Sequence, residues 1–136
     1  MEQLTKMSNS ELMLDIAMSQ YNKSFIENRK KRSDKLKSNI IINHVSNYYN
    51  ISIDSLKSKS RKTINVEARK VIYYLLRKHT LISLKEIGDY FGGRDHTTVI
   101  HSCESAKDLM KVYSEFETKV SELETKILEK INTCYR

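Results

Sequence analysis

The chain has 136 residues, with 24 Lys and Arg against 17 Asp and Glu, three glycines, no proline and two cysteines. That length suits one domain, or a small domain with added helices, and a chain so poor in glycine and proline reads as helical. The longest apolar runs, NIIINHV and VIYYLL, are far too short to span a bilayer. The start, MEQLTKMSNSEL, has neither the basic opening nor the apolar centre of a secretory signal, so a cytoplasmic location is expected.

Residues 1–27 carry four acids against two lysines. Ser8 and Glu11 have capping-box spacing, and a helix from there would carry Leu12, Leu14, Ile16, Met18 and Tyr21 towards Phe25 and Ile26. It decays into Arg29-Lys30-Lys31-Arg32, which either ends the helix or forms a linker. Residues 28–62 hold ten Lys/Arg against only Asp34 and Asp54. Such a concentration fits an anionic polymer or surface as partner, or else a solvated face.

A helix over 39–49 places Ile41, Ile42, Val45 and Tyr49 on one side, with Asn50 as a left-handed stop. A short helical turn follows over 52–56, then a polar basic loop over 57–63. The next helix, 65–79, carries Val66, Ala68, Val71, Ile72, Leu75 and Leu76. Ser83 and Glu86 form a second capping box that opens a short helix ending near Phe91.

All three glycines, Gly88, Gly92 and Gly93, fall within the stretch EIGDYFGGRDHTTVIHSC. Gly92 and Gly93 stop the short helix because glycine takes positive φ without a Cβ penalty. Asp95 is a suitable N-cap for a helix beginning at His96. Two helices joined by a tight glycine turn make a helix-turn-helix pattern, whose second helix enters the major groove. Stepping about 100° per residue, Val99, Ile100, Cys103, Ala106 and Met110 form the core stripe, opposite Thr97, His101 and Glu104.

Asp95 can accept from a cytosine amino group, His96 can donate to a base acceptor, and the Thr97 methyl can meet a thymine methyl. Thr98 and the first N–H groups of the helix suit a phosphate, and Arg94 adds charge. On spacing alone, a purely structural reading stands beside this one, in which Asp95 and Thr98 cap the helix and His96 is an exposed surface residue.

Two other chemistries fail on geometry. His96, His101 and Cys103 diverge around a helix and cannot converge on a metal. No glycine-rich stretch precedes a Lys-Ser/Thr pair, so there is no phosphate-binding loop of the ATPase type. Cys103 and Cys134 read as ordinary thiols. No catalytic constellation, metal or other cofactor is expected, and no small-molecule substrate or membrane partner.

The final helix is expected to run on without a breaker from Val99 to Ile131. Phe116, Val120, Leu123, Ile127 and Ile131 recur as a narrow apolar seam. That seam makes either a coiled-coil homodimer arm or a helix packed on the amino-terminal helix of its own chain.

The run IGDYFGGRDHTTVIHSC resembles the signature of the carboxy-terminal DNA-binding domain of the bacterial replication initiator DnaA, and the similarity extends upstream through IINHVSNYYNISIDSLKSKSRKT. It covers residues 38–110, leaving an amino-terminal helix and basic linker over 1–37 and an amphipathic helix over 111–136. The resemblance implies an all-α helix-turn-helix domain, here with extra terminal helices, that binds double-stranded DNA at DnaA boxes. It implies base reading by Asp95, His96 and Thr97 in the major groove and by Arg61 in the minor groove. Phosphate contacts are implied for Thr98, Arg77 and Lys85, with charge from Arg94, Lys59 and Lys62.

The chain departs from the family in three places. It has SKSRKT where the family loop is richer in arginine, Glu67-Ala68-Arg69 where the family has Pro-Arg, and Lys85 where proline is common. The initiator's ATPase module has no counterpart in the sequence, so ATP binding and origin melting are not expected. The function implied is that of a sequence-specific regulator or accessory factor in replication initiation or transcription. The alternative is a protein-interaction module that dimerises or docks a replication partner through its terminal helices.

Overall fold

The computed structural model describes residues 31–134, and all regular structure among them is helical. The chain divides between Ser33 and Asp34, and the fold described here is that of the second unit. The expected helix over 12–26 lies outside the described residues. Six helices follow in order: α1 over 31–49, α2 Ile53–Lys57, α3 Thr63–His79, α4 Leu84–Tyr90, α5 His96–Val112 and α6 Ser114–Cys134.

Local sequence chemistry sets most of the boundaries. Asn50 ends α1 with φ 54°, the left-handed stop expected of it. Ser52 caps α2 by accepting from the Ser55 N–H at 3.1 Å, and Ser83 caps α4 by accepting from the Glu86 N–H at 3.1 Å. Gly92 and Gly93 follow α4 with φ 86° and 75°. Lys31 and Arg32 are helical, so the last part of the basic run belongs to α1.

The core gathers around α3, which packs on α2 and α5, while α5 also holds α4 and α6. Val71, Ile72, Leu75 and Leu76 of α3 are buried with Ile41 and Val45 of α1, Leu56 of α2 and Val99 and Cys103 of α5. Tyr73 meets Phe91 edge-on, with ring centroids 5.2 Å apart, which ties α3 to the end of α4.

The carboxy-terminal helix differs from the sequence expectation. The chain breaks at Tyr113, with φ −113° and ψ 108°, and does not continue as one rod. The Tyr113 N–H still donates to the Leu109 carbonyl at 2.8 Å, and its carbonyl accepts from the Glu117 N–H at 3.1 Å. One residue therefore closes α5 and opens α6, and the change of direction brings α6 onto the core. Phe116, Val120, Leu123, Ile127 and Ile131 are all buried within the chain's own core. The seam, expected to form either a dimer arm or a contact with the amino-terminal helix, packs on the core of its own chain, while that amino-terminal helix lies outside the described residues. Across the rim, Lys78 donates to Glu124 at 2.8 Å and Lys119 to Glu67 at 3.3 Å.

Candidate nucleic-acid interface

The corner between α4 and α5 is set by backbone contacts. The Arg94 N–H donates to the Gly88 carbonyl at 2.8 Å. A Cβ built on Gly88 would lie 2.1 Å from the Arg94 carbonyl oxygen, closer than any real contact allows. Gly88 is therefore needed for the close approach of the turn, whereas Gly92 and Gly93 are needed for its positive φ.

This corner leaves the first turn of α5 in solvent. Asp95, His96, Thr97 and Thr98 are all exposed, while Val99, Cys103 and Ala106 on the other face are buried. Asp95 sits at the N-cap, but its carboxylate makes no cap hydrogen bond. It pairs instead with His96, Oδ1 to Nδ1 at 2.9 Å. That contact orients the imidazole through Nδ1 and leaves Nε2 as its free pole. The purely capping reading of Asp95 does not hold. The helix start keeps N–H groups without a side-chain partner, the arrangement that suits an anion.

The basic loop over 58–62, Ser-Lys-Ser-Arg-Lys, sorts its residues by chemistry. Ser58 Oγ donates to the Ser55 carbonyl at 2.6 Å, and Ser60 Oγ accepts from Asn65 Nδ2 at 3.1 Å. Lys59, Arg61 and Lys62 are exposed, and their side chains have no hydrogen-bond or ion-pair partner among the described residues. The serines satisfy the loop internally and three cations face solvent.

Arg69, not assigned a site role in the sequence, holds this loop from below. Its Nε donates to the Leu56 carbonyl at 2.8 Å and its Nη1 to Ser60 at 2.7 Å. Its Nη2 reaches Ser58 at 2.8 Å and Ser55 at 3.3 Å. The side chain is buried, and burial first, then the charge of Arg94, pushes its pKa below the usual guanidinium value. The signal was present in the sequence, because Arg69 sits on the α3 stripe with Asn65, Ile72 and Leu76. A buried cation at such a place needs several acceptors.

Arg94 also points inward. Its Nη2 donates to the Ser58 carbonyl at 2.6 Å, and its Nη1 donates to the Phe91 carbonyl. The expected outward charge of Arg94 is therefore turned onto backbone oxygens. The Lys57 ammonium lies 4.1 Å from the centroid of Tyr90, a further link between α2 and α4. Of the remaining expected cations, Lys85 is exposed in the first turn of α4 and unpartnered among the described residues. Arg77 stands 3.9 Å from Glu104, a loose surface pair shared with Lys107.

The profile of the bacterial DnaA protein helix-turn-helix matches residues 38–105. The chain belongs to the bacterial DnaA helix-turn-helix family. It is 42% identical over 88 residues to the chromosomal replication initiator protein DnaA of Crocosphaera subtropica (strain ATCC 51142 / BH68), an alignment covering 65% of this chain and 19% of that one. Against the DnaA of Synechococcus sp. (strain JA-2-3B'a(2-13)) it is 39% identical over 89 residues, again 65% of this chain and 19% of the other. A crystal structure described as a DNA replication initiation factor superposes with TM-score 0.69 at 33% identity, covering 94% of this chain and 40% of that one.

The chain thus spans about a fifth of the length of the curated DnaA relatives it matches. The DnaA match takes in residues 38–49 of α1, all of α2, α3 and α4, and the first part of α5. This DnaA-type unit is a DNA-binding module and not an enzymatic one. No group of His, Cys, Asp or Glu that could hold a metal occurs among the described residues, and no helix among them is long and apolar enough to cross a membrane.

Proposed function

We propose that the protein binds double-stranded DNA sequence-specifically at DnaA-box-like sites. In this reading α5 enters the major groove end-on, and Asp95, His96 and Thr97 meet base edges. Arg61 enters the adjacent minor groove, where narrow A·T-rich steps attract a guanidinium. Thr98, Arg77, Lys85, Lys59 and Lys62 hold phosphates on either side and set orientation without carrying sequence information. The protein serves as a regulator or accessory factor in replication initiation or transcription, occupying boxes that the initiator also recognises.

The observation that carries the reading is the exposure of the Asp95–Thr98 turn at the end of a helix whose other face is buried, beside a loop of three unpartnered cations. Two elements of this kind on one unit suit a duplex, whose major and minor grooves alternate along one face.

Fluorescence anisotropy on a labelled DnaA-box duplex and a scrambled duplex of equal length, each at two salt concentrations, tests the proposal. Affinity for both falls as salt rises, with log K dropping by about 0.9 per neutralised phosphate for each decade of salt. The box is preferred at both concentrations. Equal affinity for the two duplexes at both would reduce the protein to a generic basic binder and defeat the proposal.

A further inference from the structure

We propose that Arg69 and Arg94 are positioning residues that lock the basic loop over 58–62 in register with α5, and that neither contacts phosphate. The proposal rests on the DNA-binding reading above and adds how its two DNA-facing elements are held together.

Both guanidinium groups converge on one oxygen. The Ser58 carbonyl accepts from Arg69 Nη2 at 2.8 Å and from Arg94 Nη2 at 2.6 Å. Arg69 belongs to α3 and fixes the loop from its inner side through the Ser58 and Ser60 carbonyls, and the α2 residues before it through those of Ser55 and Leu56. Arg94 belongs to the turn and is itself fixed through its N–H on Gly88. The loop is thereby fastened at once to the scaffold and to the residue that precedes the recognition turn.

A steric contact supports the same junction. A Cβ on Gly92 would lie 2.4 Å from the Lys57 carbonyl, so the glycine turn rests directly against the start of the loop. The Lys57 ammonium over Tyr90 closes the junction from the α2 side. Arg61 is three residues beyond Ser58, and Asp95 directly follows Arg94. The spacing between a minor-groove arginine and the major-groove turn is therefore set by this clasp before DNA arrives. A loop ordered in advance loses less entropy on binding. That gain accrues only where both elements find their bases, so it raises specific affinity and leaves non-specific affinity unchanged.

A phosphate contact and a positioning residue separate in their salt dependence. Loss of a phosphate contact weakens all duplexes alike and lowers the salt slope by about 1. For Arg94→Ala the expected result is a loss of about tenfold or more on the box and little on the scrambled duplex, with the slope retained. Arg61→Ala then costs much less in the Arg94→Ala background than in wild type, because an unfastened loop no longer delivers it. Equal loss on both duplexes, a reduced slope and additive effects would overturn the proposal.

Arg94→Lys is the second variant, which keeps the charge but cannot bridge two carbonyls with a planar fork. It is expected to lose discrimination as Arg94→Ala does, and full retention of discrimination would overturn the clasp. Amide hydrogen exchange on the free protein supplies a readout that needs no DNA: exchange over 58–62 rises in both variants, and unchanged exchange counts against the proposal. If wild type shows no box preference, the DNA reading fails, while the exchange rates still decide whether the clasp exists.

Discussion

Arg94 donates from Nη2 to the carbonyl of Ser58 at 2.6 Å, across thirty-six residues of sequence. The bond joins the turn of the helix-turn-helix to the basic loop. It ties the residue that precedes the exposed first turn of α5 to the loop that carries the exposed cations. The properties expected of the protein follow from how that junction is built and what supports it.

In the proposed DNA-binding reading, the base-facing role centres on His96. His96→Ala is expected to cost about 1–3 kcal/mol on the box while sparing the scrambled duplex. Isothermal titration on the two duplexes measures this, and equal losses would remove His96 from base reading.

The corner depends on Gly88. A methyl group there meets the Arg94 carbonyl at 2.1 Å, so Gly88→Ala is expected to lower stability by about 1–3 kcal/mol despite the better helix propensity of alanine. Gly93→Ala has open space around its Cβ and carries only the strain of φ 75°, a cost of about 1 kcal/mol. Urea denaturation of the two variants ranks them, with Gly88→Ala the less stable.

The α6 seam is buried within its own chain. Ile127 is fully buried within the chain's own core, so Ile127→Ala is expected to cost about 2–5 kcal/mol. Its melting temperature should not vary with protein concentration, since no subunit interface is lost. A melting temperature that rises with concentration in wild type would show the seam to be intermolecular.

Acid sensitivity is expected at the α3–α6 rim. His79 Nε2 lies 3.6 Å from Glu124 Oε1, too far for a hydrogen bond, and Glu124 is already taken by Lys78. Burial first, opposed by Glu124 and assisted by Lys78 and Lys37, holds the His79 pKa below its ordinary value. The folded protein thus refuses a proton that the unfolded chain accepts. The stability from neutral His79 is complete above the unfolded pKa of about 6.5 and declines as pH falls below it. Urea midpoints at pH 8 and pH 5.5 should differ in wild type, and the difference should shrink in His79→Gln. An unchanged difference would assign the effect elsewhere.

Much of this architecture is legible in the residues because it is written in local chemistry. Ser52, Ser83, Asn50 and the Gly92–Gly93 pair fix boundaries through interactions with their nearest neighbours. The break at Tyr113 is not legible, because no glycine, proline or asparagine marks it; it is imposed by burial of the Phe116–Ile131 seam on the core. The clasp is hidden for the same kind of reason. Arg69 betrays its burial by its place on the α3 stripe, but Arg94 is one more basic residue in a basic chain, and only the fold shows that both meet at the Ser58 carbonyl. Asp95 takes the cap position expected of it, yet its side chain turns to His96, a choice among local partners that spacing does not decide.

The central claim is that the exposed turn of α5 reads sequence. Footprinting on a long duplex that carries a single DnaA box tests it most directly. Protection is expected to be confined to the box at protein concentrations that leave the flanks open to cleavage, and to be lost with His96→Ala. Protection that spreads evenly along the duplex, unaltered by His96→Ala, would contradict it.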